Sequence, residues 1–123
     1  MYGWRARVGL LTPSLNTTLE YDFNRLAPEG VSVRVSRVAT DPEGTLEALE
    51  DMGNNASQGA ELLAPARPDV VVFGCTSASF VNGPGWTKEL NKSISDVVSC
   101  PVVSTADAMV AASRLSTPAG SRC

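Results

Sequence analysis

The stretch Pro68-Asp69-Val70-Val71-Val72-Phe73-Gly74-Cys75-Thr76-Ser77-Ala78-Ser79 decides how this chain folds. Four apolar residues run without a polar interruption from Pro68-Asp69 to a Gly-Cys-Thr-Ser turn. A run that short reads as a strand, and an uninterrupted one as a strand of a parallel sheet buried on both faces. On either side of it, short apolar runs alternate with longer amphipathic ones. Arg7–Leu11 is a strand ending at Thr12-Pro13. Leu19, Phe23 and Leu26 then recur at helical spacing until Pro28-Glu29-Gly30 stops them. Val31–Val38 alternates Val with Ser and Arg, the pattern of a half-buried strand.

Asp41-Pro42-Glu43 opens the second helix, with Asp41 as N-cap and Pro42 in its first position. Its apolar face is Leu46, Leu49, Met52, Ala56 and Leu63, and Gly53 and Gly59 either weaken it or let it pack closely. After Phe73 a loop continues through Gly83-Pro84-Gly85, read as a plain turn ahead of a mobile lid. A helix carrying Trp86, Leu90, Ile94 and Val97 follows, then the strand Pro101–Ser104 and the helix Ala106–Leu115. The expected fold is α/β: helices in layers on a four-stranded, mostly parallel sheet, with about four helices and right-handed crossovers. It occupies residues 1–115, and residues 116–123 form an irregular tail.

A chain of 123 residues suits one domain. Ten Lys and Arg stand against 13 Asp and Glu, for a net charge of -3, and a nucleic-acid partner is not expected of such a chain. Trp4 and Trp86 lack the basic, aromatic surroundings of a single-strand platform. The sequence has no histidine, which removes Ser-His-Asp and Cys-His catalysis and histidine-bound metals together. Cys75, Cys100 and Cys123 form no CxxC pair, so neither a metal site nor a disulfide framework is expected. No GxxxxGK[ST] or GxGxxG occurs, which excludes the common nucleotide loops. No stretch reads as a signal peptide or a membrane helix, so the expected location is the cytoplasm, without membrane association.

In open α/β sheets ligands bind outside the carboxyl ends of the strands. That rule selects Thr12–Thr18, Ala39–Asp41, Gly74–Ser79 and Thr105. The first and third of these loops are rich in hydroxyl and amide side chains and contain no Lys or Arg. Such loops suit a small anion held by N–H groups, hydroxyls and an amide. Cys75 leaves the sheet at the third loop, where N–H dipoles could favour its thiolate. Thr76 and Ser77 could hold a carboxylate or oxyanion beside it. A lone cysteine that ends an apolar strand is more often a packing residue than a chemical one. Asn16 reads either as a cap of the next helix or as a ligand contact. Cys100 precedes the fourth strand, at the opposite end of the sheet from Cys75.

The segments RVGLLTPSLNTTLEYDF and VVVFGCTSASF resemble the maleate cis-trans isomerase branch of the Asp/Glu racemase superfamily, over about residues 4–115. The resemblance implies that Cys75 is the catalytic nucleophile, adding to the double bond of maleate. It implies that Asn16, Thr76, Ser77 and the loop residue Ser14 bind the carboxylates of a small dicarboxylate, and that no cofactor is needed. It also implies an enzyme of two similar α/β halves, each giving one cysteine to a site between them. Only the first half is represented here, and Ser116–Cys123 does not read as the continuation, so a truncated or frame-shifted form is the expectation. Two alternatives stay open. One is another superfamily activity, an amino-acid racemase or an arylmalonate-type decarboxylase. The other is a non-catalytic dicarboxylate-binding or self-associating domain, with a homo-oligomer rebuilding the two halves.

Overall fold

A computed structural model describes residues 3–116, and in it four parallel strands form one sheet in the order β2-β1-β3-β4. These are β1 (Ala6–Pro13), β2 (Val31–Val38), β3 (Val70–Phe73) and β4 (Val102–Ser104). Among the described residues the helices are α1 (Leu19–Leu26), α2 (Leu46–Leu63), α3 (Thr76–Phe80), α4 (Gly83–Val98) and α5 (Thr105–Ser116). The chain leaves β1 towards β2 on one side and returns to β3 on the other. The topological switch point therefore lies between β1 and β3, flanked by the loops that follow them.

In a parallel sheet, residues in register share a face. Leu11 is in register with Ser36 and Phe73, and Leu10 with Val35 and Val72. The first set, with Val38 and Val71, meets α2 and α4 in one cluster containing Met52, Ala56, Ala60, Leu63, Leu90, Ile94 and Val98. Gly59 is the point of closest approach. A Cβ there would lie 3.1 Å from Leu11 Cδ2 and 3.2 Å from Val38 Cγ2, so glycine lets α2 sit down on the sheet. The opposite face carries Val8, Leu10, Val33, Val35, Val72 and Val103, and α1 covers it at β1 and β2. No residue of α1 is buried, and Leu26 is 81% exposed.

Several expectations change. The run Val70–Phe73 is not buried on both faces: Val71 and Phe73 are buried, but Val70 and Val72 are half-buried, because their face is thinly covered. The second helix begins at Leu46 and is capped by Thr45, whose Oγ1 accepts from Ala48 N at 3.1 Å. Asp41 instead closes its own turn, accepting from Glu43 N at 2.9 Å, and Gly44 at φ +63° completes it in the left-handed region. Leu46, assigned to the apolar face, is exposed.

The stretch after Cys75 is not all loop. It contains α3, and Gly83-Pro84-Gly85 forms the first turn of α4 instead of a plain turn or a lid. Proline fits there because the first N–H groups of a helix have no intrahelical acceptor. Hence the helices number five among the described residues where about four were expected. Ser116 ends α5, and the rest of the expected tail, with Cys123, lies outside the described residues. No helix of the described residues is long and apolar enough to cross a membrane.

Candidate active site

The loop after β1 is fastened on every side. Ser14 N donates to Val38 O at 2.9 Å and to Thr40 Oγ1 at 3.2 Å, while Ser14 Oγ accepts from Thr40 N at 3.0 Å. This clasp ties the ends of β1 and β2. Asn16 Oδ1 accepts from Thr18 N at 3.0 Å and from Leu19 N at 2.8 Å. The carbonyl oxygen of Asn16 is thus a cap for α1, and of the two readings of this residue capping is the one that the hydrogen bonds display. Its amide nitrogen has no hydrogen-bond partner among the described residues.

Arg37 was not singled out from the sequence. From β2 its Nη1 donates to Asn16 O at 2.9 Å and to Ser14 O at 3.4 Å, and its Nη2 pairs with Glu20 at 3.3 Å. The first loop therefore has an arginine beside it although it contains none. The available signal was its position near the carboxyl end of β2, in register with Thr12 of β1.

The loop after β3 starts against β1 and the head of α1. Gly74 N donates to Leu11 O at 2.8 Å, and the space that a Cβ of Gly74 would need is filled by Leu19, the first residue of α1. Cys75 follows in extended conformation, at φ -133° and ψ 108°, half-buried against the core. Burial pushes its thiol above the ordinary value, and the N–H groups of Ala78 and Ser77 act against that rise. The net direction is upward, because burial is the largest of these influences. Thr76 and Ser77 are exposed, and so is Ser14.

The last of the four loops is also tied in. Thr105 Oγ1 donates to Phe73 O at 3.1 Å. Ser104 and Asp107 cap α5 reciprocally: Asp107 N donates to Ser104 Oγ at 3.1 Å, and Ser104 N donates to Asp107 Oδ2 at 3.1 Å. Burial would raise the Asp107 carboxyl, but hydrogen bonds from Ser104 and Asn91 hold it below its ordinary value. Cys100 precedes β4, away from this end of the sheet; its thiol is raised by burial and by the charge of Asp69.

The fold and these loops define a parallel α/β domain with a thiol and small polar donors at its switch point, open to solvent on the side of Thr76 and Ser77. Comparison with known proteins narrows the class. The chain is 26% identical over 117 residues to the maleate isomerase of Geobacillus stearothermophilus, a match covering 85% of this chain and 46% of that protein. It superposes on the maleate isomerase of Pseudomonas putida S16, solved as a cysteine-to-alanine variant with maleate. The TM-score is 0.77 at 26% identity, over 89% of this chain and 48% of that one. The maleate cis-trans isomerase of Nocardia farcinica was solved as a cysteine-to-serine variant with a covalently bound succinylcysteine intermediate. It matches with a TM-score of 0.76 at 26% identity, over the same 89% and 48%. Arylmalonate decarboxylase shares the fold, at 21% identity and a TM-score of 0.69, over 88% of this chain and 45% of that one. No protein-family profile matches the chain. The chain is a homologue of maleate isomerases in sequence and in structure, and it spans about half the length of the relatives it matches.

Proposed function

We propose that this chain is the first half of a cofactor-independent maleate cis-trans isomerase, with Cys75 as nucleophile. The observation that carries the reading is the place of Cys75: a half-buried thiol at the switch point, at the head of α3, in a homologue of enzymes of which one holds a succinylcysteine. The thiolate adds to one alkene carbon of maleate. A C–S bond forms, and the π pair moves to the neighbouring carbon, which takes a proton from a group outside this chain. The central bond is now single and rotates. Loss of that proton returns the pair, the C–S bond breaks, and fumarate leaves. The donors for the carboxylates are Thr76 and Ser77 at the third loop, and the Asn16 amide nitrogen and the Ser14 hydroxyl at the first.

The raised thiol has a consequence for rate. Only the deprotonated fraction adds, so addition accelerates as pH rises and continues to accelerate beyond the ordinary cysteine value. The two cysteines described are both free, which suits a reducing cytoplasm.

The test is to incubate the chain with maleate, alone and mixed with the second half of the Nocardia farcinica enzyme. Peptide mass spectrometry reads the succinyl adduct on Cys75, and NMR reads fumarate. The expected outcome is an adduct in both samples and sustained turnover only in the mixture, both lost in Cys75→Ala. No adduct on Cys75 in either sample overturns the reading.

A second reading is favoured by the exposed apolar residues Leu26, Met109, Val110 and Leu115. Exposed apolar residues promote association, so in this reading the chain is a non-catalytic domain whose partner is a second copy of itself. Sedimentation across concentrations distinguishes it: a monodisperse monomer at every concentration removes this reading.

A further inference from the structure

The first loop contains a tight turn, in which Asn16 N donates to Pro13 O at 2.9 Å. The carbonyls of Ser14 and Asn16 take no part in that bond. One guanidinium nitrogen gathers both: Arg37 Nη1 donates to Asn16 O at 2.9 Å and to Ser14 O at 3.4 Å. Arg37 Nη2 is held in turn by Glu20 Oε1 of α1 at 3.3 Å. A guanidinium is all donor and has no acceptor. Bound to these carbonyls, it occupies the groups of the loop that would repel an anion and leaves free those that would attract one. The Ser14 hydroxyl accepts from Thr40 N and donates to nothing among the described residues. The Asn16 side-chain amide is planar, so the N–H groups of Thr18 and Leu19 that fix its Oδ1 also fix the direction of its Nδ2. Capping α1 therefore leaves Asn16 a free donor of set direction.

We infer that Arg37 is a positioning residue for carboxylate binding at the first loop: by tying up the Ser14 and Asn16 carbonyls it holds the Ser14 hydroxyl and the Asn16 amide ready for a small dicarboxylate. The inference rests on the reading of the first loop as a carboxylate site, and it does not depend on the chemistry of Cys75. Arg37 stands on β2 in register with Thr12 of β1, so it reaches the loop from a strand already fixed in the sheet. Its bond to Glu20 fastens the first turn of α1 to the same guanidinium, and that is the helix which Asn16 caps. Both side chains of the Arg37–Glu20 pair are about half exposed, so the pair itself adds little to stability. The weight of Arg37 lies in the geometry of the loop, and its influence passes through Ser14 and Asn16.

The test is titration of the isotope-labelled chain with succinate, a saturated diacid that cannot add to a thiol, read by NMR at the Asn16 side-chain amide. Arg37→Met keeps an apolar stem and removes every donor. Arg34→Met removes the same charge from the same strand, at an exposed residue in register with Gly9 and on the opposite face of the sheet. Arg37→Lys keeps the charge and loses the planar fork. Arg37→Met is expected to raise the succinate Kd about three- to tenfold, the size of one oriented hydrogen bond, with little change in melting temperature. Arg34→Met is expected to stay within about twofold of the parent, and Arg37→Lys to fall between the two. An unchanged Kd in folded Arg37→Met overturns the inference. Equal weakening in Arg34→Met, or full recovery in Arg37→Lys, assigns the effect to charge and also overturns it. So does a parent chain whose Asn16 amide does not respond to succinate. Should Arg37→Met fail to fold by circular dichroism, Arg37→Lys decides alone, and parent affinity in it overturns the inference. A chain that binds succinate at Asn16 but forms no maleate adduct keeps this inference and loses the proposed activity.

Discussion

Leu10 and Leu11 are neighbours on β1 and both are fully buried, yet they belong to different regions of the molecule. Leu11 faces α2 and sits in the cluster that α2 and α4 close over the sheet. Leu10 points the other way, towards Leu19 and α1. The first face is covered by helices of 18 and 16 residues, the second over β1 and β2 by a helix of eight that buries none of its own. On this second face Val72 is half-buried and Val103 is 36% exposed. Parallel sheets are ordinarily covered on both sides. The difference teaches that the folding core lies on the α2 and α4 side. The thin side is where the molecule has apolar surface left for another body.

The sharpest way to break this comparison is the pair of alanine variants. Leu11→Ala is expected to cost about 3–5 kcal/mol in urea unfolding, because the packed cluster around it relaxes little. Leu10→Ala is expected to cost about 2–3 kcal/mol, because α1 can settle into the space. Equal losses would show that both faces are packed alike.

A smaller effect is expected where α5 starts. Every described residue from Asp107 to Leu115 is exposed, and the reciprocal cap of Ser104 and Asp107 holds its first turn. Asp107→Ala is expected to cost at most about 1 kcal/mol at neutral pH, since the carboxylate is solvent-screened. The folded carboxyl lies below its ordinary value, so its contribution is complete above the unfolded value and disappears as pH falls through the folded one. Thermal melts of parent and variant should converge in acid. Melts that stay apart there would assign the loss to packing instead.

The smallest effect on stability belongs to the thin side. Leu26→Ser should change the unfolding free energy by less than about 0.5 kcal/mol, since Leu26 is 81% exposed. In sedimentation the same change should weaken any self-association, and association unaffected by it would place the contact elsewhere.

Much of this was legible in the chain. The alternation of short valine-rich runs with amphipathic ones marks strands and helices because their periods differ. A strand that ends in Gly-Cys-Thr-Ser puts its cysteine at the carboxyl edge. The start of α2 was not legible, because Asp41 and Thr45 are both good caps, and the turn completed by Gly44 decides between them. Nor was α3, since Thr-Ser-Ala-Ser-Phe has neither apolar period nor strong helix propensity and is held by tethers from α4 and α5. Arg37 escaped notice because it reaches the first loop from another strand.

By itself the sequence determined the order of elements, the absence of histidine chemistry and the strand end on which Cys75 stands, since these follow from local period and residue type. Only the tertiary structure decided that Asn16 caps α1, that Cys75 is half-buried against the core, and that one face of the sheet stays thinly covered. The cap is a local bond that the sequence offers as one of two readings, whereas the burial of the thiol and the thin face depend on groups far apart in the chain, and the free energy of a buried thiol or an exposed valine is set by what packs beside it.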